Sequence, residues 1–148
     1  MGREQLWAPW RLEYILSDKK LPEPDQPLEL LPGADSGCFL CRCAVDPNGR
    51  QGLVVSRGER AVTVMNRFPY NNGHLMVAPR RHVGRLDELT LNEQAELSAQ
   101  VTKWVTLLEG ILNAEGFNVG LNLGRIAGAG LPGHLHWHIV PRWNGDTN

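Results

Sequence analysis

The run His134-Leu135-His136-Trp137-His138-Ile139-Val140 alternates imidazole and apolar side chains without a break. A period of two belongs to an extended strand, where it sends the histidines to one face and Leu135, Trp137 and Ile139 to the other. A helix would scatter both sets around its circumference. The run therefore predicts a strand ending at Pro141, with its apolar face, Trp137 included, turned to the core. Only five histidines occur in the 148 residues, so this strand face carries most of them, directly after a glycine-rich stretch. Clustered titratable groups mark sites rather than solvated surface. We read the run as an active-site strand.

The rest of the chain supplies a sheet for it to join. Strands are expected at 52–56, 61–66, 74–78 and 117–123. The turn Arg57-Gly58-Glu59-Arg60 separates the first two, and Pro69-Tyr70-Asn71-Asn72-Gly73 the next two. Thr90-Leu91-Asn92-Glu93 is a capping box that opens an amphipathic helix of about 25 residues, with Leu97, Val101, Trp104, Val105, Leu108, Ile111 and Leu112 at helical spacing and Gly116 as its stop. Hairpin-linked strands with one long helix between them imply an α+β fold built on an antiparallel sheet. Residues 1–35 read as an apolar arm and a Pro-rich loop packed on the domain or on a second subunit. The domain proper spans 36–148.

Composition narrows the function classes. A net charge of −1 and no basic cluster beyond Lys19-Lys20 and Arg80-Arg81 exclude a nucleic acid or membrane surface held by bulk electrostatics. No apolar run approaches the roughly 20 residues of a membrane span, and Met1 to Trp10 has no apolar signal core. Three cysteines, two of them as Cys38-Phe39-Leu40-Cys41, suit a reducing compartment, so the cytoplasm is the expected location. The spacing of Cys38 and Cys41 lets two thiolates meet one tetrahedral ion, with Cys43 a rival third; the alternative is a buried pair without metal.

Neutral imidazole is a nitrogen nucleophile near pH 7. A strand can set one histidine at a reacting phosphorus and its neighbour two residues on at the phosphoryl oxygens. The glycines of 124–133 either form a plain connection or allow backbone amides, those of Gly128, Ala129 and Gly130 among them, to cradle those oxygens. Asn122 is a candidate side-chain donor beside them. This chemistry suits attack on phosphorus through a phospho-histidine intermediate.

The histidine run resembles the histidine-triad (HIT) motif, His-φ-His-φ-His-φ-φ with φ apolar. The order of elements over about 36–142 is also similar to that family: Cys-x-x-Cys, hairpin, the strand His74-Leu75-Met76-Val77-Ala78-Pro79, long helix and triad strand. The resemblance implies a HIT-like sheet of about five strands with one long and one short helix, assembled as a homodimer that acts on the α-phosphate of a nucleotide. By position it makes His136 the nucleophile and sets His138 on the phosphoryl oxygens or leaving group. Asn66 falls at the ribose contact, although the residue reads equally well as a turn initiator. His74 matches no functional position and reads as a structural histidine. Arg125 and Arg142 flank the site and read as distal phosphate contacts or, slightly better, as solvated charges.

The flanks Trp7-Ala8-Pro9-Trp10-Arg11, Gly128-Ala129-Gly130 and Pro141-Arg142-Trp143-Asn144-Gly145-Asp146-Thr147-Asn148 resemble the bacterial and archaeal branch that includes diadenosine tetraphosphate phosphorylases. That branch implies phosphorolysis to ATP and ADP, with inorganic phosphate as second substrate, and a tail continuing past Asn148. Two other readings stand beside it: a HIT-type hydrolase of dinucleoside polyphosphates or phosphoramidates, and a zinc-stabilised nucleotide-binding module without turnover. Where many HIT proteins carry a serine before the triad, this chain has Gly130-Leu131-Pro132-Gly133, so backbone amides would replace that hydroxyl. Cys38, Cys41, His82 and His134 resemble the structural zinc site of some HIT proteins, closed by four protein ligands and pinning the start of the triad strand. No organic cofactor is implied.

Overall fold

Strand β3 (Leu75–Pro79) is buried along its whole length, which is why its sequence is a continuous apolar run rather than an alternating one. It is the middle strand of a five-stranded antiparallel sheet ordered β1-β2-β3-β5-β4, where β1 is Val54–Arg57, β2 Ala61–Met65, β4 Gly116–Gly120 and β5 Trp137–Arg142. These are features of a computed structural model in which residue 10 and residues 23–146 are described. Most of the expected N-terminal arm lies outside the described residues. Of that arm Trp10 is described, and its indole donates to the Pro69 carbonyl at 2.5 Å.

The sheet is covered differently on its two faces. Helix α2 (Leu91–Leu112) packs on one, where Leu97 and Leu108 meet Leu75, Val77, Leu135 and Ile139. The short helix α1 (Phe39–Cys43) packs on the other, where Leu40, Cys41 and Cys43 meet Val62, Val64, Met76 and Ala78. Alternation along β3 and β5 sorts the side chains: Leu75 and Ile139 face α2, whereas Met76 pairs with His138 on the α1 face. Trp104 reaches from α2 to donate its indole N–H to Thr63 Oγ1 at 3.0 Å.

The capping box at Thr90 forms in full, with Glu93 N–H donating to Thr90 Oγ1 and the Thr90 amide to Glu93 Oε2. The helix is shorter than the expected span and does not stop at Gly116. It has 22 residues and closes on Asn113 in the left-handed conformation (φ 50°), which asparagine tolerates. Gly116 instead opens β4, because 116–120 pairs with β5. That strand ends at Gly120, short of the expected 123. The histidine run also departs from a uniform strand. Only its second half joins the ladder, from Trp137 on, and the ladder runs one residue past Pro141 to Arg142. The lead-in carrying His134 and His136 is anchored elsewhere: Leu135 N–H donates to Val83 O at 2.8 Å, beyond the end of β3. Among the described residues no helix is long and apolar enough to cross a membrane.

Candidate active site and metal-binding cluster

The lead-in and first turn of β5 hold three imidazoles whose tautomers are set by their partners. His136 is buried, and its Nδ1–H donates to the His134 carbonyl at 2.8 Å. A carbonyl can only accept, so the proton sits on Nδ1 and Nε2 keeps its lone pair. Burial lowers its pKa, against the opposing pull of that carbonyl, so the ring is neutral in near-neutral solution. A neutral imidazole with a lone pair at Nε2 is the form a nucleophile needs.

His138 stands beside it, ring centroids 5.0 Å apart. Its partner is His74, fully buried at the start of β3, with His74 Nε2 and His138 Nδ1 2.8 Å apart. The Tyr70 amide donates to His74 Nδ1 at 3.0 Å. An amide N–H cannot accept, so His74 carries its proton on Nε2 and donates it to His138 Nδ1. His138 is then left with its proton on Nε2. The pair places an N–H donor on the ring beside His136, whose Nε2 carries a lone pair. Sequence reasoning missed His74 as part of this group. The signal lies in the pairing of β3 with β5, which no local pattern reveals.

The other end of the run is closed. His134 is fully buried, and its Nε2–H donates to Pro79 O at 2.7 Å. Its Nδ1 lone pair therefore faces Cys38 Sγ at 3.3 Å and Cys41 Sγ at 3.6 Å. His82 Nδ1 lies 3.2 Å from Cys41 Sγ. All four ligand atoms fall within 4.8 Å of one another. Tetrahedral bonds of about 2.3 Å to sulfur and 2.1 Å to nitrogen would set N···S edges of about 3.6 Å, so the donor set and its spacing fit a metal. Burial, with the neighbouring Cys41, pushes the Cys38 thiol up to about 12, a state that a divalent cation reverses by holding the thiolate. Burial first, then the facing His82 and His136, pushes His134 down to about 4, which keeps it a neutral ligand. Cys43 does not join the cluster; its thiol points to the Gly52 carbonyl at 3.6 Å, and burial raises it to about 11.

Local sequence explains these positions. Cys38 is the N-cap of α1 and Cys41 lies three residues on, hence on the same side of the helix. Arg57 and Arg80 donate to the Cys43 and Ala44 carbonyls at the other end of α1, at 2.7 Å and 2.9 Å, and fix it to the sheet. Gly84 allows the segment after β3 to touch 132–133, where a Cβ would meet the Pro132 carbonyl at 3.0 Å. That contact sets His82 beside His134.

Of the remaining candidates, Asn66 touches the histidine group, with its Nδ2 3.5 Å from His74 Nε2. Asn66 Oδ1 accepts from the Phe68 amide at 2.8 Å, the turn-initiating role. Asn122 is exposed, and the amides of Gly128 and Ala129 donate to Arg125 O and Gly124 O within their own loop. A phosphoryl group would meet those two amides only by replacing these bonds. Arg142 is bonded to Asp146 and Asn118.

Comparison with known proteins adds to this geometry. The HIT domain family model matches residues 50–145. The chain is 41% identical over 151 residues to "AP-4-A phosphorylase" of Mycobacterium tuberculosis, covering 98% of this chain and 71% of that protein. It is 36% identical over 100 residues to "Bis(5'-nucleosyl)-tetraphosphatase [asymmetrical]" of Schizosaccharomyces pombe, covering 68% of this chain and 53% of that one. A Zn-bound histidine triad family protein from Mycobacterium smegmatis superposes with a TM-score of 0.58 at 27% identity, over 64% of this chain and 68% of that chain.

Proposed function

Because the chain belongs to the HIT domain family, we propose that it transfers a nucleotidyl group through His136, by phosphorolysis of diadenosine tetraphosphate. The observation that carries this reading is the Nε2 lone pair of a buried, neutral His136 beside the Nε2–H of His138. His136 Nε2 attacks the α-phosphorus, the P–N bond forms, and the P–O bond to the departing ATP breaks. His138 gives its hydrogen bond to a phosphoryl oxygen or to that leaving oxygen, with His74 behind it. Inorganic phosphate then attacks the same phosphorus, releasing ADP and restoring His136. A positioned proton donor of this kind contributes about 10²- to 10⁴-fold.

Asn66, Asn122 and the 128–130 backbone are the proposed contacts to ribose and phosphate. Zinc is the proposed ion for Cys38, Cys41, His82 and His134, and its chemistry there is structural, since four protein ligands leave no position for substrate. These residues hold the start of the lead-in, so the His134 carbonyl stays where His136 Nδ1–H needs it. A homodimer is proposed through edge strand β4 and the exposed Leu91, Leu107, Ile111 and Val119. Three free thiols suit a reducing cytoplasm.

Water as acceptor is the second reading, supported by the tetraphosphatase name of the fission-yeast relative. Product analysis of diadenosine tetraphosphate with and without inorganic phosphate separates them. Phosphate-dependent ADP plus ATP supports the phosphorylase, and AMP plus ATP irrespective of phosphate makes the chain a hydrolase. Binding without turnover would leave the nucleotide-binding module.

A further inference from the structure

The segment after β5 is bonded back onto the turn that carries His74, through side chains that no step above uses. Asp146, its side chain 9% exposed, accepts on Oδ2 from Asn71 Nδ2 at 2.8 Å, Arg142 Nε at 2.7 Å and the Trp143 amide at 3.0 Å. Its Oδ1 accepts from Arg142 Nη2 at 2.6 Å. Asn71 Nδ2 also donates to the Pro141 carbonyl at 3.2 Å. The turn is closed from its other side by Gly73, at φ +77°, where a Cβ would come within 2.5 Å of Leu112. Between these anchors lies Tyr70, whose amide donates to His74 Nδ1 and whose ring stacks on His74 with centroids 5.4 Å apart.

That amide, at 3.0 Å, keeps the His74 proton on Nε2 although the Asn66 amide nitrogen also stands 3.5 Å from Nε2. If the turn relaxed, His74 could move its proton to Nδ1 and present a lone pair at Nε2. His138 would then turn its own proton inward, to Nδ1, and lose the Nε2–H that faces the reacting group. A carboxylate accepting four donors, two of them from one guanidinium, makes a stiff anchor.

We infer that Asp146 and Asn71 are positioning residues for the His74–His138 pair, holding the Tyr70 amide against His74 Nδ1 through the 69–73 turn. The inference rests on the nucleotidyl-transfer reading of His136 and His138. It is specific to proton donation: nucleophilic attack by His136 takes its tautomer from the His134 carbonyl, which this network does not touch.

The test uses the full chain with Asn71→Ala and Asp146→Ala, and two AMP esters, phenyl and p-nitrophenyl, each with inorganic phosphate as acceptor. Departing phenoxide needs a proton in the transition state far more than p-nitrophenoxide does. Displacement of a positioning group predicts a fall in kcat of about 10-fold on the phenyl ester, with KM within about twofold and the p-nitrophenyl ester slowed by about twofold or less. ¹⁵N spectra of histidine-labelled protein are expected to show His74 leaving the pure Nε2–H tautomer. Equal losses on both esters, a change in KM alone, no loss, or an unchanged His74 spectrum would each overturn the inference. Asn71→Ala keeps the backbone carbonyl that closes the turn, so it carries the test if Asp146→Ala fails to fold. Should the unaltered protein cleave neither ester, the functional reading fails, and the tautomer measurement still decides the positioning role.

Discussion

His134 and His136 are two residues apart on one extended lead-in, both buried, yet their rings are wired in opposite senses. His134 gives Nε2–H to Pro79 O and turns Nδ1 into a cluster of thiols. His136 gives Nδ1–H to the His134 carbonyl and keeps its lone pair on Nε2. The difference lies in which nitrogen meets a carbonyl, and it separates an end able to hold a metal from the end that carries the proposed nucleophile. The two ends are also joined, since the carbonyl that sets His136 belongs to His134, a member of the Cys38, Cys41, His82 and His134 cluster. Imidazole chemistry here is chosen by the acceptor next to it, not by residue type.

The sharpest way to divide the two ends is His136→Ala. Turnover of diadenosine tetraphosphate is expected to fall by at least about 10³-fold, since the proposed nucleophile is gone. Nucleotide affinity by equilibrium titration and metal content by elemental analysis are expected to stay near those of the unaltered chain. Loss of metal together with activity would mean that the two ends are one site.

Cys38→Ser attacks the other end. Metal content is expected to fall, and urea unfolding to show a loss of about 3–5 kcal/mol, because a site that binds in the folded state contributes its binding energy to folding. A chelator is expected to reproduce the shift on the unaltered chain and to leave Cys38→Ser unmoved. Equal stability with and without chelator would count against a structural metal.

The smallest effect tests how the metal end is braced. Arg81, next to His82, makes a bidentate pair with Glu93 at 3.0 and 2.9 Å. That guanidinium, helped by the Thr90 amide and opposed by burial, holds the Glu93 carboxyl down at about 2, below its ordinary 4.5. A depressed carboxylate stabilises the fold above its unfolded pKa and loses that contribution as pH falls through the folded value. Glu93→Gln is therefore expected to cost about 2 kcal/mol at pH 7, a penalty that shrinks between pH 5 and pH 2. Denaturant midpoints across that range check it, and kcat is expected to change little.

Periodicity and local chemistry were legible from the chain alone. The alternation from His134 to Ile139 foretold which side chains are core, and Leu135 and Ile139 are buried against α2. The capping box at Thr90 formed, and the Cys38–Cys41 spacing with His82 and His134 came together as one cluster. These follow from contacts between near neighbours, or from donor types few enough in the chain to match. Asn113 as the helix stop was less visible, because the pull of β5 on 116–120 decides where the helix must release the chain.

By itself, then, the sequence determined the period of each element, the two faces of the histidine strand and the residues able to ligate a metal. Tertiary structure decided the strand order, which brings β3 beside β5 and sets His74 against His138 from 64 positions away. It also decided the tautomers of His74, His134, His136 and His138, because the partners are the Pro79 carbonyl, the His134 carbonyl and the Tyr70 amide. Side-chain period is a property of the local backbone, whereas a ring proton answers to whichever donor or acceptor the fold brings within 3 Å.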